Sequence, residues 1–327
     1  MIYNQWYIVL ESKELHQNTP LKIVRFGEAL VMWRDSGSNI ACIEDRCCHR
    51  GASLACGKIK KGEIECPFHG YLYDKTGKVT TIPANGKIAE VPDSVRVKAY
   101  DVYEDFGFIW LWYGDIEKKS AKPFYFEELR EYTYSSFKDE WAVHYSRAIE
   151  NQLDVVHVPF VHKSTIGKGN KTMVNGPVVE RDGDMITFYV NNVLDDGKTV
   201  ALKPSEIQNY KDLYYLKFHF PNVWQNYITD KIRVMAAFVP VDDENSIVYI
   251  RYYQKITTFP ILKDFMNWTG KLFCKKILRE DKHVVVTQLP KKSELKMDEK
   301  LIMGDMPIIE YRNRRDELKN LVNQKSE

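Results

Sequence analysis

The sequence predicts an α+β protein in which an N-terminal all-β domain is followed by a larger domain of antiparallel sheet and helices. Three observations lead there. The first hundred residues break into short β-branched and aromatic runs separated by glycines; a polar stretch near residue 115 ends that texture; beyond it, apolar runs of strand length alternate with two segments of helical character.

In the first part, Trp6–Leu10, Ile23–Phe26 and Ala29–Trp33 have the composition of strands. Gly37, Gly51, Gly57, Gly62, Gly70, Gly77 and Gly86 punctuate the stretch as turns do. The run Gly107–Gly114 closes the domain, and the polar segment Asp115–Lys122, ending at Pro123, is the linker. The expected domains are therefore residues 1–116 and 117–327. In the second, Ala142–Val156 lacks Gly and Pro and is expected to be helical. Strands are expected at Met185–Val190, Tyr214–Phe218, Val234–Val239 and Ile247–Tyr253. From Pro260 to about Gln288 the chain reads as a long helix, weakest at Gly270, with Ile261, Phe265, Trp268 and Leu272 at helical spacing. The charged tail from Tyr311 reads as an exposed helix or frayed end.

Charge narrows the function. The 327 residues carry 47 basic and 45 acidic side chains, a net +2, and no long basic run, which does not support nucleic-acid binding. The Lys58–Lys61 and Lys291–Lys292 clusters read as solvated surface. Met1–Trp6 lacks the basic and apolar segments of a signal peptide, and no stretch reaches the roughly 20 apolar residues of a membrane helix. A cytoplasmic protein without a membrane span is expected, its six cysteines being thiols or metal ligands.

Cys47-x-His49 is followed by Cys66-x-x-His69. Two thiolates and two imidazoles suit tetrahedral zinc or a Rieske [2Fe–2S] cluster. Zinc fingers usually pair Cys with Cys and His with His, whereas each loop here supplies one of each, as a cluster with one Cys₂ iron and one His₂ iron requires. Gly51 and Gly70 let backbone approach the sulfides. These loops resemble the Rieske cluster-binding motif, with one departure: the family usually has proline where this chain has Cys48. Cys48 is not expected to be a ligand; Cys42, Cys56 and Cys274 read as small buried residues.

A second constellation follows at Asn151-x-x-Asp154-x-x-His157-x-x-x-x-His162. Histidines five apart do not share a face of a straight helix, but Pro159 between them breaks the helix and lets both converge on one metal. Two histidines and a carboxylate form the facial triad of non-haem Fe(II) oxygenases. The pattern is similar to the iron motif of the Rieske oxygenases, in the monooxygenase and O-demethylase branch. That resemblance implies a Rieske domain followed by a helix-grip (START-like) catalytic domain. It places the iron carboxylate at Asp281, with Glu280 a rival and Asp264 a distant one. It gives Asp154 the role of bridge between an iron-ligating imidazole and His69 of the next subunit in a ring-shaped homotrimer, and sets Asn151 near the iron.

The resemblance implies an oxygenase component that takes NAD(P)H electrons through a reductase, a ferredoxin or both. With O₂ it would hydroxylate or oxidatively dealkylate a small organic substrate. A cis-dihydroxylating dioxygenase and a plain Rieske electron carrier are the alternatives. His144, His219 and His283 read as structural or surface residues. Phe188, Tyr189, Phe218, Trp224 and Phe238 are candidates for a pocket wall or for core, and Lys163–Pro177 for a mobile loop over the iron.

Overall fold

The computed structural model describes residues 1–323, which form two compact units: Asn4–Pro123, and Phe124 onward together with Met1–Tyr3.

The first unit is all β. Strands β1 (Gln5–Glu11), β9 (Val102–Asp105) and β10 (Phe108–Tyr113) form one antiparallel sheet in the order β1-β10-β9, and β2 (Leu21–Arg25), β3 (Glu28–Arg34) and β4 (Ile40–Glu44) form a second. A third, smaller sheet runs through β5 (Lys58–Lys60), β6 (Glu63–Glu65), β7 (Leu72–Tyr73) and β8 (Val79–Thr81). Cys47 and Cys66 lie in a core with Trp33, Ile43, Leu54, Ile64 and Tyr73, so the two cysteine loops are anchored from inside.

The second unit is built on a seven-stranded antiparallel sheet. Its strands are β11 (Thr133–Trp141), β12 (Met173–Asp182), β13 (Met185–Val193), β14 (Tyr214–His219), β15 (Val223–Thr229), β16 (Ile232–Pro240) and β17 (Ser246–Gln254), in the order β11-β17-β16-β15-β14-β13-β12. Helices α1 (Tyr145–Leu153), α2 (Val158–Val161), α3 (Pro260–Val285) and α4 (Met306–Asn323) complete it.

Three expectations change. The first helix is shorter than Ala142–Val156: the buried His144 ring accepts the Ser146 N–H as an N-cap, and Asp154 ends the helix by accepting from Val156 and His157. Within Lys163–Pro177, residues from Met173 onward belong to β12. The tail from Tyr311 is no frayed end: Tyr311, Arg312 and Arg315 are buried within α4, while residues 324–327 lie outside the described part. Ile261, Phe265, Trp268 and Leu272 lie on a helix as their spacing predicts; they face outward, and the buried face of α3 consists of Asn267, Gly270, Cys274, Leu278, Asp281 and Val285.

Gly270 has a role opposite to that of a weak point. A Cβ there would sit 2.3 Å from the Tyr252 ring, so glycine sets how closely α3 approaches β17. Gly270→Ala is expected to destabilise the fold by about 1–3 kcal/mol through overpacking. A lowered thermal midpoint checks this; a wild-type midpoint would contradict it.

Candidate metal and active sites

The two cysteine loops repeat one backbone pattern. Cys47 N–H donates to Ala52 O and Gly51 N–H to Cys47 O, both at 2.8 Å; Cys66 N–H donates to Tyr71 O at 2.8 Å and Gly70 N–H to Cys66 O at 3.0 Å. Gly51 (φ +75°) and Gly70 (φ +74°) close these turns in the left-handed region, where a side chain is strained. Both sulfurs point inward, whereas His49 and His69 are exposed with ring centroids 4.5 Å apart. Tyr73 Oη lies 3.0 Å from Cys47 Sγ and 3.2 Å from Cys48 Sγ and accepts the Cys48 N–H. Against a deprotonated Cys47, only the tyrosine can donate. Two buried thiols and two imidazoles on matched loops fit a [2Fe–2S] cluster.

In the second unit, His157 lies at the N-cap of α2, His162 at its C-cap and Asp281 on the inner face of α3. Pro159 sits in the first turn of α2, where its missing N–H costs nothing. It therefore starts a short helix, and the break between the histidines' helix and α1 comes at Asp154–Val156. One ligand atom from each of His157, His162 and Asp281 lies within 4.8 Å of the others. Asp281 Oδ1 is 2.9 Å from His162 Nε2 and 3.4 Å from His157 Nε2, yet has no partner in hydrogen-bond geometry. Atoms that converge without bonding one another are what a shared cation needs, so the donor set fits a metal ion.

Electrostatics agree. Burial would raise the Asp281 carboxyl, but the two imidazoles outweigh it and hold it at about 2. Burial would lower His157, but Asp154 and Asp281 lift it to about 9. A carboxylate only 2% exposed demands positive charge beside it, which imidazolium protons or a metal supply. Glu280 takes a different place from its neighbour: its Oε2 is 2.8 Å from His162 Nδ1, and a carboxylate can only accept there, leaving Nε2 bare toward Asp281. Asp154 Oδ2 is 3.6 Å from His157 Nδ1, Asn151 lines the adjoining cavity, and Asp264, exposed and paired with Lys263, lies on the outer side of α3.

Sequence reasoning missed what anchors α1. Arg312 of α4 grips Glu150 with two bonds of 2.8 and 2.9 Å, and Arg312 and Arg147 both reach Glu299. From the sheet side, Asn192 Nδ2 donates to Val155 O at 2.9 Å. His144 and His219 are structural: burial lowers them to about 2 and about 4, and His219 stacks on Phe124. His283 is exposed.

A cavity of about 530 Å³ adjoins the triad. Its wall comes from alternate strand residues, as period-two geometry requires: Phe188 and Val190, Leu216, Trp224, Val234, and Ile250 and Tyr252. Of the strand aromatics considered from sequence, Phe188 and Trp224 line the cavity. Phe218 is core, stacked edge-on to Phe220 and Tyr311; Phe238 is also buried, and Tyr189 turns its hydroxyl to Glu180.

The Rieske [2Fe–2S] domain family matches residues 5–97, and the vanillate O-demethylase oxygenase C-terminal domain family matches residues 141–321, more than half of the chain. The chain belongs to the Rieske oxygenases of vanillate O-demethylase type. Chlorophyllide a oxygenase of Chlamydomonas reinhardtii is 32% identical to it over 192 residues, 58% of this chain and 28% of that one. The vanillate O-demethylase oxygenase subunit of Pseudomonas sp. (strain HR199 / DSM 7063) is 32% identical over 199 residues, 58% of this chain and 54% of that one. The match thus spans about half or less of such relatives. Among solved structures, an NdmA variant of Pseudomonas putida CBB5 with theobromine superposes with a TM-score of 0.79 at 21% identity, covering 98% of this chain and 92% of that one, which shows a shared fold. This Rieske oxygenase has, among its described residues, no helix long and apolar enough to cross a membrane.

Arg312→Ala is expected to cost about 3 kcal/mol, because Glu150 loses its bidentate partner while Arg147 still faces it. Denaturant unfolding checks this, and a loss below roughly 1 kcal/mol would show the pair to be dispensable.

Proposed function

We propose that the chain is the oxygenase component of a multicomponent Rieske non-haem iron system. It would receive NAD(P)H electrons through a reductase, a ferredoxin or both, and hydroxylate or oxidatively dealkylate a small, largely apolar organic substrate. One observation carries this reading: a Cys₂His₂ loop pair and a separate His₂-carboxylate cluster beside a cavity occur in the same chain.

In this reading Cys47, His49, Cys66 and His69 hold the cluster, and His157, His162 and Asp281 hold one iron. When bound, the cluster supplies electrons and the iron activates O₂ for insertion into a C–H bond. Tyr73 donates to the Cys47 sulfur and so favours the reduced cluster. Glu280 keeps the proton of His162 on Nδ1. The apolar strand residues position the substrate's carbon against the triad and keep water out. Six unpaired cysteines accord with a cytoplasmic protein. By family resemblance the assembly is a ring-shaped homotrimer, with Asp154 set between His157 and His69 of the next subunit.

The deciding experiment is iron and acid-labile sulfide analysis, with an EPR spectrum of dithionite-reduced protein purified without air. About three irons and two sulfides per chain, with a Rieske-type signal, are expected. Asp281→Ala should lose about one iron while keeping the sulfide and the signal. Colourless, zinc-containing protein would overturn the reading. Asp154→Ala is expected to keep both metal contents and the EPR signal while turnover falls about a hundredfold, the upper end of the usual cost of such outer partners. Normal coupled turnover in that variant would refute its role.

A further inference from the structure

The outer face of α3 is inverted relative to an ordinary surface helix. Ile261, Phe265, Trp268 and Leu272 follow one another at four, three and four residues, which puts them on one stripe. They are 77%, 58%, 56% and 45% exposed. Phe265 and Trp268 lie with ring centroids 6.2 Å apart. An exposed stripe of four large apolar residues is a docking surface in search of an occupant.

Charge identifies the occupant. α3 carries six Lys and Arg against three acids, and of those acids Asp281 and Glu280 are engaged with histidines and Asp264 with Lys263. Where the apolar stripe ends, a groove beside α2 begins, in which Phe160 and Leu272 are joined by Lys275, Lys276 and Arg279. Aromatic and aliphatic residues along one stripe with cations beside them are the pattern of a helix that lies in a membrane interface. Phe273 and Ile166, both about half exposed, line the cavity.

We propose that this face of the second unit seats on an anionic lipid surface, with Phe265 and Trp268 at the acyl–headgroup boundary and Lys275, Lys276 and Arg279 on the headgroups. A two-fold contact between copies fits less well, because it would set these cations against their own counterparts. The contact is peripheral and stands apart from the chemistry.

The test is sedimentation of the full-length, metal-loaded protein with phosphatidylglycerol–phosphatidylcholine vesicles and with phosphatidylcholine alone. Binding to the anionic vesicles, weakened by salt, is expected. It should fall about tenfold or more in Phe265→Ser/Trp268→Ser. Lys275→Gln/Lys276→Gln should weaken binding and reduce its salt dependence. Cluster absorbance and circular dichroism, unchanged in both variants, show that the fold and the cluster are intact, so this result is independent of the oxygenase reading. Absence of binding by the wild-type protein, or undiminished binding by the aromatic variant, overturns the proposal. So does a change of oligomeric state in that variant with vesicle affinity unaltered, which would make the face a contact between copies.

Discussion

A carboxylate taken out of water must be given positive charge, and in the second unit that requirement falls on Asp281. Its side chain is 2% exposed and lies on the inner face of a 26-residue helix. Two imidazoles from the far side of the α1–α2 break supply the compensation. Everything that places those imidazoles therefore bears on α3, and everything that places α3 bears on them. Gly270 against Tyr252 sets the depth of α3, while Lys282 on Asp139 and Ser135 on the Asn267 carbonyl fix it to β11. The Arg312–Glu150 pair holds α1 from the opposite direction.

How much of this was legible depends on how local each signal is. The cysteine loops could be read because each confines its donors to three or four residues and ends in a glycine of positive φ. His157 and His162 could be paired because a proline separates them, although Pro159 opens α2 instead of breaking a longer helix. The choice between Glu280 and Asp281 could not be made from spacing. Neighbours on a helix point about 100° apart, and only the packing of α3 decides which turns inward. Here Asp281 Oδ1 faces the Nε2 atoms of His157 and His162, and Glu280 reaches round to His162 Nδ1.

The outward stripe of α3 misleads for a related reason. Apolar spacing reports that a helix exists, and the usual assumption is that its apolar side is the buried one. The inner side of α3 instead serves close approach and places Asp281, so small and polar residues, Gly270, Asn267, Cys274 and Asp281, share it with Leu278 and Val285. Strand β11, with the sequence TYSSFKDEW, gave little apolar signal because it is an edge strand with partly exposed alternate positions. The tail looked like surface because of its arginines; Arg312 is buried because Glu150, far away in sequence, and Glu299 await it, and Arg315 because it meets Ser293.

The cavity has two kinds of wall, and they come from different parts of the chain. The candidate metal ligands come from helices and the turn between them, in company with Phe273, Ile277 and Leu278 of α3; the facing wall is made by alternate positions on five neighbouring strands. Apart from Asn192, which holds the Val155 carbonyl, a side chain on those strands can be enlarged, trimmed or given a hydroxyl without moving any donor atom, because the backbone ladder beneath it is indifferent to which residue projects. Reactivity and selectivity are thus encoded in separate stretches of sequence. Descendants of one such chain could diverge in the molecule they accept while inheriting the same chemistry unaltered.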